Sequence, residues 1–326
     1  MSKELKRGYT TGVHASFAFK SALEAFCITK EKSITITQKM DNDDLDITKG
    51  CEIVVTISDR LNDLELNPIS HKPYIIGSIE IYAGVGVGVV TKNGLKPPKG
   101  YPAINPTPLN AIKDISNKFN ITQENIYVSI SVTDGANIAK QTANAKVGVL
   151  GGISILGTTG FVKPISSLAY IDSIRTELNF IKSNGYQEVI LTLGNSSFIY
   201  AKENYNKEQI IEIGNFVYDS FEMSKELGVT KVIWICGIGK ATKVMQGFKN
   251  THNRFGSIDF ESLRDDIKNS LGVEVNIEST RTVKGVSMQL KRIDRLDEFY
   301  KKIEIKARNQ IKKWFPTLNI DIRILK

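Results

Sequence analysis

The chain has 326 residues, 41% hydrophobic and 24% charged, which is the composition of a globular protein and excludes a disordered or fibrous one. Its three cysteines, Cys27, Cys51 and Cys236, are far apart and form no CxxC pair, which argues against a disulfide framework or a zinc ribbon and fits a reducing compartment. The net charge of +8 sits at one end: residues 281–326 hold 13 Lys/Arg against five Asp/Glu, and the first 280 residues hold 30 of each sign.

That basic excess fits either a polyanion-binding surface or a solvated helix face. Leu296, Phe299, Ile303, Ala307, Ile311 and Trp314 recur at helical spacing with most of the lysines between them, and no aromatic stacking platform accompanies the charge. The solvated face is the preferred reading, so no nucleic-acid partner is expected. The start, MSKELKRGYTTG, has no apolar signal core, and no apolar run reaches the roughly 20 residues of a membrane span. The expectation is a cytoplasmic protein with no membrane partner.

In chain order, His14–Cys27 is rich in Ala, Phe and Leu and predicts a buried helix, capped by the threonines of RGYTTG. Strands are predicted at Ser33–Gln38, Glu52–Ser58 and Ser78–Thr91, the last punctuated by glycines that mark a bulge or close backbone approach. Lys96–Pro108 holds five prolines and predicts a loop. A short helix at Leu109–Phe119 and a strand at Ile126–Thr133 lead into Val149–Pro164, VLGGISILGTTGFVKP. Then the rhythm changes. A helix at Ser166–Ser183, a strand at Glu188–Leu193, a helix at Lys207–Leu227, a strand at Lys231–Cys236 and a helix from about Lys240 give the alternation of a parallel sheet. Further helices at Asp259–Leu271 and Asp294–Phe315 precede a strand at Asn319–Leu325. The predicted domains are 1–164, an α+β domain with the glycine-rich motifs, and 165–326, an α/β domain ending in the basic helix and a strand.

Three glycine clusters are candidates for ligand binding. From Gly152 the stretch GISILGTT matches a P-loop except that Thr158 replaces its lysine, so triphosphate binding lacks its anchor, although the backbone could cradle a smaller anion. AGVGVG at 83–88 lacks the third glycine of a dinucleotide loop. CGIGK at 236–240 follows a predicted strand and opens a helix, the better context for an anion. Of the three histidines, His14, His71 and His252, His252 is the preferred catalytic candidate, because it falls near the C-terminal ends of the predicted parallel strands. No HxxxH, HExxH or Cys/His cluster occurs, so no protein-bound metal is expected, and the absence of GxSxG disfavours serine hydrolysis.

Five stretches occur together in one family: RGYTTG, AGVGVGVVTKNGL, PAINPTP, NAKVGVLGGISILGTTGFVKP and GKATKVMQGFKNTHNR. On these the chain, from about Lys6 to Arg254, resembles the cobalt-precorrin-5B methyltransferases of anaerobic cobalamin biosynthesis. The resemblance implies methyl transfer from S-adenosylmethionine to ring carbon 1 of a tetrapyrrole whose cobalt belongs to the substrate. It also implies an α+β domain like the second domain of ribosomal protein S5, followed by a three-layer α/β domain with a mainly parallel sheet. Two departures stand out. Val13–His14 follow TTG where the family usually has a cysteine, and Cys236–Lys240 reads CGIGK where it usually has GHPGK.

Displacement on an activated methyl requires chiefly positioning. The expected cofactor contacts are Gly151, Gly152, Ser154, Gly157, Thr158, Thr159, Gly160, Thr10, Thr11 and Gly12. Arg7, Lys146, Lys240, Asn250 and Thr251 are the expected substrate contacts, the cations meeting its carboxylates, with His252 beside them. The expected partner is a small-molecule corrinoid, and homo-oligomerisation is left open. The alternatives are a phosphate-binding enzyme using the lysine-less loop and a non-enzymatic polyanion binder using the basic tail.

Overall fold

The computed structural model describes residues 8–41, 47–119, 121–157, 161–162, 167–280 and 282–326. The chain forms two compact units, Met1–Ser167 and Leu168–Lys326, each with its own apolar core. Among the described residues no helix is long and apolar enough to cross a membrane.

The first unit runs β1 (Gly8–Tyr9), α1 (Thr11–Thr29), β2 (Ser33–Gln38), β3 (Glu52–Ser58), β4 (Tyr74–Ile76), β5 (Ile79–Ala83), β6 (Gly86–Val87), β7 (Val89–Val90), α2 (Pro106–Ser116), β8 (Ile126–Val132), α3 (Gly135–Ala139), β9 (Val149–Leu150), β10 (Gly152–Ile153) and β11 (Phe161–Val162). Thr10 caps α1 by accepting a hydrogen bond from Val13 N–H, and Lys30 ends it at φ 60. Ala15, Ala18, Phe19, Ala22, Leu23 and Phe26 are buried on α1, which packs on β2, β3 and α2. The sheet order is β2-β3-β8-β5-β4, antiparallel except that β5 and β8 run parallel, with Ile79 opposite Ile126. The buried, alternating Ile53, Val55 and Ile57 of β3 and Val128, Ile130 and Val132 of β8 form the heart of the core.

The expected single strand at Ser78–Thr91 is broken into β5, β6 and β7, because its glycines serve close backbone approach. Gly86 pairs in parallel with Gly152, and a Cβ on Gly152 would lie 2.1 Å from the Gly86 carbonyl oxygen. The expected loop at Lys96–Pro108 stops early, because α2 starts at Pro106. Proline fits the first helical turn, where its missing N–H has no partner to lose.

The second unit runs α4 (Ser167–Ser183), β12 (Glu188–Leu193), α5 (Asn195–Asn204), β13 (Ile210–Glu212), α6 (Val217–Glu226), β14 (Lys231–Gly237), α7 (Ile238–Met245), α8 (Phe260–Leu271), α9 (Val283–Arg292), α10 (Leu296–Trp314) and β15 (Ile320–Leu325). Its sheet is wholly parallel, in the order β13-β12-β14-β15. Ile233 and Ile235 of β14 pack with Ile190 and with Ala201 of α5. Trp234, which points the opposite way along the strand, meets Phe221 of α6 edge-on. Helices therefore cover both faces. The helix expected at Lys207–Leu227 is corrected: Ile210–Glu212 is a strand beside β12, and Gly214 at φ 52 separates it from α6. On α10 the basic stretch buries Phe299, Ile303, Ala307 and Ile311, so the tail's apolar stripe is core.

Replacing Gly152 with Ala forces a methyl group against the Gly86 backbone. Urea unfolding of the variant is expected to show a loss of about 1–3 kcal/mol; wild-type stability would contradict the close approach.

Candidate functional site

In the second unit the chain lays down β12, places β13 on one side of it, then crosses to put β14 and β15 on the other. Open parallel sheets bind ligands at the carboxyl ends of the strands where this reversal falls. Here those ends are the turn after β12 and the turn from β14 into α7. The β14 turn borders a cavity of about 470 Å3, whose lining includes Gly237, Ile238, Gly239, Lys240, Lys243, Asn253, Thr282 and Lys284 and, among the described residues, no acidic residue. No side chain caps α7, so its first N–H groups are left without an intrahelical acceptor.

Two lysines on one face of α7 hold the neighbouring loop. Lys240 Nζ donates to Asn215 Oδ1 at 2.8 Å and to the Thr251 carbonyl at 3.1 Å. Lys243 is only 5% exposed, and its ammonium donates to the Thr251 carbonyl at 3.2 Å, to Asn253 Oδ1 at 2.9 Å and to the Gly256 carbonyl at 2.9 Å. All of these acceptors are neutral. Burial, aided by the Lys243 charge, lowers the Lys240 pKa, and burial lowers that of Lys243. Beneath the turn, the Cys236 thiol is fully buried and its pKa raised by that burial, the state of a structural cysteine rather than a nucleophile.

The other expected residues of this unit build the loop. Thr251, expected to touch substrate, is fully buried and donates its hydroxyl to Asn215 Oδ1 at 3.0 Å, so it cannot reach a ligand. Asn250 Oδ1 accepts the His252 N–H at 2.9 Å. His252 is exposed, and its Nδ1 accepts the Arg254 N–H at 3.1 Å. With that bond in place the neutral ring presents Nε2–H, a donor rather than a basic nitrogen. Lys243, Asn215 and Lys284 were missed. Lys243 was legible as the i+3 neighbour of Lys240, whereas Asn215 and Lys284 meet the site only through the fold.

In the first unit, the expected Thr10–Gly12 and Gly151–Gly157 segments meet. Thr11 Oγ1 donates to the Leu156 carbonyl at 3.2 Å and accepts the Leu156 N–H at 2.8 Å, and Gly12 N–H donates to the same carbonyl at 2.7 Å. Gly151 stands at φ 82 against Asn67, and Ser154 Oγ donates to Asn144 Oδ1 at 3.3 Å. Packing thus accounts for Gly151 and Gly152. The described part of the stretch does not support the P-loop alternative: Gly152 and Ile153 form a paired strand, Ile155 bridges Ile104, and Phe161–Val162 pairs with β1 as a strand. Thr10, Gly12 and Gly157 do border a cavity of about 250 Å3 walled by Val13, Phe17, Pro108 and Ile115, with Lys20 its one charged lining residue among the described residues. Lys146 is half-buried on the approach to β9. Arg7, Thr158, Thr159 and Gly160 lie outside the described residues.

A doubly faced parallel sheet with a lysine-lined cavity at the carboxyl ends of its strands is an arrangement suited to an anionic small molecule. Comparison with known proteins narrows the class. The CbiD family profile matches residues 23–164. The cobalt-precorrin-5B C(1)-methyltransferase of Methanocaldococcus jannaschii is 37% identical over 280 residues, 77% of this chain and 74% of that one. The enzyme of the same name from Sulfurisphaera tokodaii is 38% identical over 278 residues, 81% of this chain and 78% of that one. A crystal structure of the cobalamin biosynthesis protein cbiD from Archaeoglobus fulgidus aligns over 80% of this chain and 84% of that one, at 25% identity and a TM-score of 0.34. The chain belongs to the cobalt-precorrin-5B C(1)-methyltransferase family.

His14, where the family resemblance led to a cysteine, is 7% exposed, and its Nε2 accepts the Met40 N–H at 3.3 Å. Burial first, and the Lys39 charge second, hold its pKa below 6.5. The unfolded chain therefore binds a proton that the folded one refuses, so this stability is present above 6.5 and is lost as pH falls below it. Denaturation measured on either side of that pH is expected to show the loss, and His14→Gln, which keeps an acceptor, is expected to flatten it. An unchanged slope would contradict this role.

Proposed function

We propose that this protein transfers the methyl group of S-adenosylmethionine to ring carbon 1 of cobalt-precorrin-5B, giving cobalt-precorrin-6A in anaerobic cobalamin formation. The observation that carries the reading is identity of 35–38% to enzymes of that name over most of the chain. The lysine-lined cavity supports it, because the acceptor is a macrocycle fringed with carboxylates. The cobalt arrives with the substrate.

S-adenosylmethionine, when bound, supplies a methyl group already activated on a sulfonium. The chain's task is then to hold and orient. The apolar cavity of the first unit suits the donor's adenosyl part: Val13, Phe17, Pro108 and Ile115 offer apolar walls, and Thr10 and Gly157 stand at its border. A cation such as a sulfonium is disfavoured among the lysines of the second unit, which suits the acceptor's carboxylates instead. Lys240 donates to them by a charge-assisted hydrogen bond from its remaining N–H, while Asn215 and Thr251 hold its ammonium through the other two. In fold terms, we read the first unit as ribosomal protein S5 domain 2-like and the second as three-layer α/β, supported by the helix-backed mixed sheet and the doubly covered parallel sheet.

Incubation with methyl-labelled S-adenosylmethionine and cobalt-precorrin-5B is expected to give a product with one labelled methyl group at carbon 1 by mass spectrometry and NMR; recovery of unmethylated substrate overturns the assignment. Lys240→Met is expected to raise KM for the corrinoid about 10–100-fold, the equivalent of one lost charge-assisted bond, with a smaller effect on kcat.

A further inference from the structure

The turn from β14 into α7 carries two glycines that the chain itself does not require. Gly237 lies at φ −79 and ψ 157, a conformation open to any residue, and a Cβ there would meet nothing within 4 Å. Gly239, in the first turn of α7, is equally open, although glycine inside a helix is less favourable than alanine. The glycines of the first unit differ: Gly84, Gly86 and Gly152 are each pressed against backbone or side chain closer than a Cβ tolerates. Both open glycines line the 470 Å3 cavity, together with Lys240, Lys243 and Lys284. Among the described residues none of the three lysines forms an ion pair with a carboxylate. The buried Lys243 spends its three N–H donors on neutral oxygens, so none of its hydrogen bonds supplies a counter-charge.

We propose that this cavity is a carboxylate subsite, in which one carboxylate side arm of the tetrapyrrole closes on the backbone of Gly237–Gly239, a spot that any side chain would fill. This rests on the corrinoid reading above. Lys240 and Lys284 supply the charge-assisted contacts, and the uncapped α7 N–H groups add to them. Lys243 acts as a positioning residue: it ties the loop through Thr251, Asn253 and Gly256 to α7 and raises the local potential. The methyl donor also has a carboxylate, but its ammonium and sulfonium would enter the same lysine field, so the side arm is the favoured source.

The test uses the full chain. Calorimetry follows binding of uroporphyrin, a tetrapyrrole fringed with carboxylates, of its methyl ester, and of S-adenosylmethionine, to the wild type and to Gly237→Val, Gly239→Ala and Lys284→Ala. Uroporphyrin is expected to bind and its ester to bind at least tenfold more weakly. Each variant is expected to lose at least tenfold in uroporphyrin affinity with an unfolding midpoint close to wild type, and to raise KM for cobalt-precorrin-5B without lowering kcat. Equal binding of acid and ester, wild-type affinity and KM in the variants, or a loss confined to S-adenosylmethionine would each overturn the subsite. A wild type that binds uroporphyrin as described but forms no methylated product would sink the methyl-transfer reading and leave the carboxylate subsite standing.

Discussion

The Lys243 ammonium, buried and bonded to three neutral oxygens, is the constraint on which the second unit's functional edge depends. A charge removed from water is tolerated when its hydrogen bonds are complete, and here the chain completes them by folding the Thr251–Gly256 loop over α7. That loop gives the cavity one wall. The same bonds leave the charge itself uncancelled, and Lys240 one turn away adds a second. The result is a preorganised positive field in a cleft rather than a chain of surface ion pairs, which is the form that attracts and holds an anionic ligand.

Glycine has opposite uses in the two units. In the first, it lets backbones touch: β6 against β10, and the start of α3 against β6. Thr11 then locks the start of α1 to Leu156, 145 residues away. In the second unit, a Cβ added to Gly237 or Gly239 would meet nothing within 4 Å. Residues 151–155 of the motif that matched a phosphate loop are scaffold, and CGIGK, the better anion context in the sequence, is the one whose strand, turn and helix leave space for a ligand.

Much of the fold was legible because the local pattern and the final environment agree. Ser33–Gln38, Glu52–Ser58 and Glu188–Leu193 are strands with the expected bounds, since their apolar residues either alternate toward one core or fill a doubly covered sheet. Where a short apolar pair suits either element, sequence failed. Ile210–Ile211 in a polar surround reads as helix by period and becomes a strand only because β12 offers a partner. The site was legible in part. Lys240 stood out by its glycine-flanked turn. Thr251, picked for its polarity, is buried scaffolding, and Lys284 reaches the cavity through the placing of α9, which no local pattern announces.

The central claim is that the β14–α7 turn receives the acceptor. Amide hydrogen exchange at Ile238, Gly239 and Lys240, followed with and without cobalt-precorrin-5B and in the absence of methyl donor, tests it directly. The account requires exchange at these amides to slow on adding the corrinoid. Unchanged exchange there, at corrinoid concentrations that saturate turnover, would contradict it.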